Sequence, residues 1–106
     1  MTLHFKKIVE ELGRRNLDVP TLDCLVPDAR LYDVLAIQPK GSIAVRPDFV
    51  GHDDHQSAVT KLLAYLRLAA ARGCGLVLSP EYSCPWDALV AALADNIVPK
   101  AGKLWI

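Results

Sequence analysis

Apolar residues recur at helical spacing in three stretches of the chain. Near the start, Phe5, Ile8, Val9 and Leu12 share one face, while Lys6, Lys7, Glu10, Glu11 and Arg14 take the other. This pattern predicts a short amphipathic helix, with Thr2 as a candidate cap and Gly13 weakening its end. Further on, Val59, Leu62, Leu63, Leu66, Ala69 and Ala70 form the apolar stripe of a longer helix that lies on a core. Asp53, Asp54 and Ser57 are its candidate N-caps, and Gly73 is its left-handed terminator. A third helical stretch runs from Trp86 to Ala94 and stops near Asn96, ahead of Pro99. Between the first two helices lies a blurred region, Asn16 to Lys40, punctuated by Pro20, Pro27 and Pro39. Its short apolar runs, residues 22–26 and 32–37, have no period long enough to fix a type. Residues 1–40 are therefore read as an N-terminal extension that packs on something else.

Two runs read as strands. Ser42-Ile43-Ala44-Val45-Arg46 is rich in β-formers and is closed by Pro47, with a polar loop, Gly51 to Gln56, ahead of the long helix. Gly75-Leu76-Val77-Leu78-Ser79 is apolar without alternation, which suits a strand buried on both faces of a parallel sheet. Strand, helix, strand over residues 42–79 is a βαβ unit, so Ile43–Val45 is predicted to pair in parallel with Leu76–Leu78. Lys103-Leu104-Trp105-Ile106 opens a third strand at which the sequence stops. Residues 41–106 are accordingly expected to form an incomplete α/β domain.

Composition sharpens that expectation. Of 106 residues, 52% are hydrophobic and 23% charged. A domain of this size buries a smaller share of its surface than a large one. The apolar surplus therefore calls for a partner chain, self-association or a larger parent. Twelve basic and twelve acidic residues cancel, which argues against a nucleic-acid partner or an anionic membrane surface. Cys24, Cys74 and Cys84 form no CxxC pair, and the charged N-terminus is no secretory segment. No apolar run reaches membrane-spanning length. The chain reads as a cytoplasmic protein with reduced thiols.

Glu81 is the residue that most invites chemistry. Catalytic groups in α/β folds gather at the carboxyl ends of parallel strands, and Glu81 follows such an end directly after Pro80. Among Val77, Leu78, Tyr82 and Trp86, its carboxylate is expected to turn inward to a concave site suited to proton transfer. The plainer reading is an exposed loop glutamate that caps the next helix. His52-Asp53-Asp54-His55 holds ligand-type residues, but they bunch at a helix entry without a distant third ligand and read as caps. Cys74 and Cys84 read as ordinary small thiols.

The string from Ile43 to Val45, through the alanine- and leucine-rich helix to Ala71-Arg72-Gly73-Cys74-Gly75, and on through Leu76-Val77-Leu78-Ser79-Pro80-Glu81-Tyr82-Ser83, resembles the first βαβ unit of the nitrilase superfamily of carbon–nitrogen hydrolases. Pro99 to Ile106 is similar to that family's approach to its third strand, so the resemblance covers about residues 41–106. It implies a partial sandwich of sheets covered by helices, with Glu81 as general base. It also implies hydrolysis of a non-peptide amide or nitrile bond, with no cofactor and no metal. In the family a cysteine attacks the substrate carbon and a lysine stabilises the developing charge. Lys100 and Lys103 come too early to match that lysine, and Cys84 lies outside the nucleophile's motif. Only Glu81 carries over, and the chain is expected to be inactive alone. The alternative is a non-catalytic interaction module or truncated remnant whose apolar surface docks on a partner.

Overall fold

The structure, a computed structural model, describes residues 4–26 and 31–106. The cap expected at Thr2 lies outside them. The first helix, α1, spans Ile8–Arg14 and starts after Lys7 without a side-chain cap. Its apolar face forms as the periodicity predicts but packs on nothing described: Phe5, Ile8 and Val9 are all exposed.

The core is built by two helices on a small parallel sheet. Helix α2, His55–Arg72, begins where the Asp54 carboxylate accepts the Ser57 backbone N–H at 3.0 Å. It ends at Gly73, whose φ of 60° closes the last turn. Ala58, Leu62, Tyr65, Leu66 and Ala69 line its buried face. Helix α3, Trp86–Ala94, presents Ala88 and Ala92, both fully buried. Residues that small let the two helices approach closely, and Arg67 of α2 bonds Asp95 just past α3 at 2.9 Å.

Among the described residues, five short strands make two separate sheets. Strands β1 (Val34–Ala36), β4 (Leu76–Leu78) and β5 (Leu104–Trp105) form a parallel sheet in the order β1-β4-β5. Strands β2 (Ile43–Arg46) and β3 (Phe49–His52) form an antiparallel hairpin. The class is thus α/β, but the βαβ unit expected over residues 42–79 is corrected. Ile43–Val45 does not pair with Leu76–Leu78; Val34–Ala36 does, with Val34 opposite Leu76. Of the polar loop expected at Gly51 to Gln56, Gly51 and His52 belong to β3 and His55 and Gln56 to α2. Pro47 and Asp48 are the two turn residues of the hairpin, since Arg46 pairs directly with Phe49. A proline with its φ preset suits the first turn position, so it reverses the chain here and does not simply end a strand.

The boundary drawn at residue 41 shifts with this finding, because β1 comes from the stretch read as an extension. That stretch is also tied to the far edge of the sheet. In the 3₁₀ turn Asp23–Leu25, the Asp23 N–H donates to the Gly102 carbonyl at 2.8 Å, and the Asp23 carboxylate meets Lys103 Nζ at 2.6 Å.

Side-chain alternation divides the parallel sheet into two faces. Leu35, Val77 and Trp105 stand in one register row and join the helical core. Val34, Leu76 and Leu104 form the next row on the opposite face. There Leu76, Leu78 and Leu104 are half-buried, and Val34 and Ile106 stay 51% and 65% exposed. Strand β4 is therefore not enclosed on both sides, as its unbroken apolar run had suggested; only Val77 is fully buried.

Candidate functional site

The carboxyl end of the parallel sheet is closed from beneath by Tyr65. Its hydroxyl lies 2.9 Å from the Leu35 carbonyl oxygen and 2.7 Å from that of Leu78, and its single proton is shared between the two. One side chain of α2 thereby pins the ends of β1 and β4 together. Burial pushes the phenol above its usual pKa, the hydrogen bond to Leu78 opposes that rise, and nearby Cys74 adds to it.

The chain leaves β4 through a tight turn in which the Ser83 N–H donates to the Pro80 carbonyl at 3.0 Å. Glu81 and Tyr82 are the two central residues of this turn. Tyr82 has a φ of 60°, a left-handed conformation that costs a non-glycine residue about 1 kcal/mol. Glu81 stands at the strand end, as expected from Pro80. Its side chain is exposed, however, against the expectation of an enclosed, inward-turned carboxylate. A two-residue turn lifts its central positions off the sheet, and Glu81 occupies the first of them.

Ser83, the residue after the turn, is 2% exposed. Its carbonyl accepts a hydrogen bond from Nε2 of the buried His52, at 3.0 Å. A carbonyl can only accept, so Nε2 carries the proton in this bond. Through this contact β3 clamps the loop that carries Glu81. The Ser83 hydroxyl has no hydrogen-bond partner among the described residues.

The helix-entry string divides into distinct jobs. Asp54 caps α2, as expected. His52 is the buried clamp, and His55 Nε2 reaches Asp87 Oδ2 of α3 at 2.7 Å. No group of three His, Cys, Asp or Glu residues among those described is placed to hold a metal ion. All three cysteines are free thiols: Cys74 is buried in the core, Cys24 half-buried and Cys84 exposed. Although Cys84 is exposed, partial desolvation by its surroundings pushes its thiol pKa up, the opposite of what an activated nucleophile requires. Lys103 is engaged by Asp23 and does not face the Glu81 turn.

Beside the turn, a cleft of about 380 Å³ opens between the β2–β3 hairpin and the start of α3. Tyr82 and Cys84 line it, whereas Glu81 between the strand and Tyr82 does not. In the sequence His52 reads as a capping residue, and neither its clamp on Ser83 nor the cleft is evident there. The alternation of β3 holds the one available signal, since Phe49 and Gly51 fall on one face and Val50 and His52 on the other.

No protein family, curated protein or solved structure matches the chain. No helix among the described residues is long and apolar enough to cross a membrane.

Proposed function

We propose that this chain supplies the N-terminal part of a cytoplasmic carbon–nitrogen hydrolase acting on amide or nitrile bonds, with Glu81 as its general base. One observation carries the reading: a Pro-Glu pair follows the middle strand of a parallel sheet after a single residue, Ser79, where loops converge in α/β enzymes. The resemblance to nitrilases supports it, with one amendment. The first strand of the unit is better matched by Val34–Ala36, the parallel neighbour of β4, than by Ile43–Val45. These residues contribute a base but no matched lysine or cysteine, so no nucleophile is activated within them.

The test is hydrolysis of simple amides and nitriles, assayed on the chain alone and on the polypeptide that its reading frame encodes. The chain alone is expected to show no turnover. A polypeptide that adds a strand-end lysine and cysteine is expected to turn over, and Glu81→Gln should slow it about a hundredfold or more. Undiminished turnover in Glu81→Gln overturns the assignment. Turnover by the chain alone that vanishes in Cys84→Ala moves the nucleophile to Cys84.

The open sheet face favours a second reading, a docking module without catalysis. Val34 and Ile106 are apolar and mostly in water on a face that continues through Leu76, Leu78 and Leu104. An inactive polypeptide that binds a partner chain through this face would support that reading over the first.

A further inference from the structure

The cleft beside the Glu81 turn is walled by aromatic rings that the fold leaves uncovered. Phe49, Tyr82 and Trp86 line it, and Tyr82 and Trp86 are 59% and 74% exposed. Backbone geometry fixes where each of these side chains leaves the chain. Phe49 lies against Gly51, where a Cβ would come within 2.7 Å of the ring carbon Cζ. Tyr82 is set by its left-handed turn, whose following residue is clamped by His52. Trp86 is the first residue of α3, directly after Pro85.

The charge around the rings selects the occupant. Among the described residues no lysine or arginine lines the cleft, and the one acidic lining residue is Asp48. Asp48 forms no ion pair among the described residues. Arg46 lines a neighbouring groove together with Asp53, not this one. Two helices do start here, and their N-terminal ends favour an anion. Each end is already matched by a carboxylate of its own: Asp54 caps α2, and Asp87 sits in the first turn of α3. Any positive charge on His55 likewise faces Asp87 at 2.7 Å. The unspent charge is therefore that of Asp48, and the aromatic faces add their negative quadrupoles to it.

We infer that this cleft binds an alkylated ammonium group, its methyl groups against the rings of Phe49, Tyr82 and Trp86 and its charge matched by Asp48. The site is independent of the hydrolase reading, because it uses neither Glu81 nor a nucleophile. Choline and its neutral carbon isostere, neohexyl alcohol, are the probes, titrated against the full chain by ligand-observed NMR. Choline is expected to bind about 2- to 30-fold more tightly than the isostere. Asp48→Asn should reduce that preference while leaving the isostere's affinity unchanged, and Trp86→Ala should weaken choline binding. Both side chains are exposed, so circular dichroism should match the parent chain, and Trp86→Phe should retain part of the affinity. Equal affinity for the two probes, an unchanged preference in Asp48→Asn, or no choline binding at tens of millimolar would each overturn the inference.

Discussion

From α2, Tyr65 reaches both the Leu35 and the Leu78 carbonyl oxygens with its hydroxyl. Replacing it with phenylalanine keeps the ring in the core and removes the shared hydrogen bond. The expected cost is about 1 kcal/mol, measured by denaturant unfolding at neutral pH. The sign of the pH effect follows from the raised phenol pKa. Folding favours the protonated form, so its contribution is complete below the ordinary tyrosine value of about 10 and is lost as pH climbs through the higher folded value. Tyr65→Phe should lack that component, and its stability should fall less steeply above pH 10 or so than the parent's. Equal slopes would show that the hydroxyl is not linked to folding. Cys84 offers a kinetic counterpart. Because partial desolvation raises its pKa, alkylation by iodoacetamide should reach half its maximal rate above the ordinary thiol range of about 8.5. A midpoint below that range would reopen Cys84 as a nucleophile.

The elements are joined by few contacts, each of them specific. The hairpin β2–β3 contributes little apolar burial, with Ile43, Val45 and Val50 all substantially exposed. Its anchor is His52 on Ser83, while the Asp53 N–H donating to the Ser42 carbonyl at 3.0 Å extends the ladder between its own two strands. The far edge of the parallel sheet depends on Gly102. Its φ is +83°, and a Cβ there would come within 2.5 Å of the Asp23 carboxylate. Gly102→Ala therefore meets both an unfavourable backbone and the side chain that pairs with Lys103. A loss of about 1–3 kcal/mol is expected in denaturant unfolding. The added Asp23→Ala change should recover the part due to the clash, leaving the backbone part. A neutral Gly102→Ala would mean that the turn before β5 rearranges freely.

Taken whole, the molecule exposes more surface than its mass predicts. Its accessible area is 8408 Å² for 11.6 kDa, against about 5,800 Å² for a typical folded monomer of that size. Its radius of gyration of 16.8 Å likewise exceeds the roughly 13 Å of a compact domain. Apolar residues hold much of the excess, on the outer face of the parallel sheet and along α1. Association is the expected outcome, because a face of this kind gains by leaving water. Sedimentation velocity should show species heavier than the monomer, growing with concentration. Val34→Lys with Ile106→Lys should shift the population toward monomer. A parent chain that stays monomeric at high concentration would show that the open face is tolerated as it stands.

Local grammar by itself determined the helices and most of the strands. Asp54 and Gly73 bound α2 through a cap and a left-handed residue, effects that depend only on near neighbours in sequence. The apolar runs at Leu76–Leu78 and Leu104–Trp105 are strands for the same local reasons, and the Pro-Glu pair at a strand end was legible without coordinates. Pairing was not. Val34–Ala36 and Ile43–Arg46 are both short and apolar, and nothing in their composition says which becomes the parallel neighbour of β4. Tertiary structure decided it, because Leu35 falls in register with Val77 over α2, whereas Ile43–Arg46 finds a nearer partner across a two-residue turn. The candidate site divides in the same way. Glu81 could be located from the sequence, but its exposure depends on the turn that ends at Ser83. The His52 clamp spans 31 residues of sequence, and the cleft draws on β3, the loop and α3 together. Such contacts exist only once the chain is packed, since no periodicity in one segment encodes the position of another.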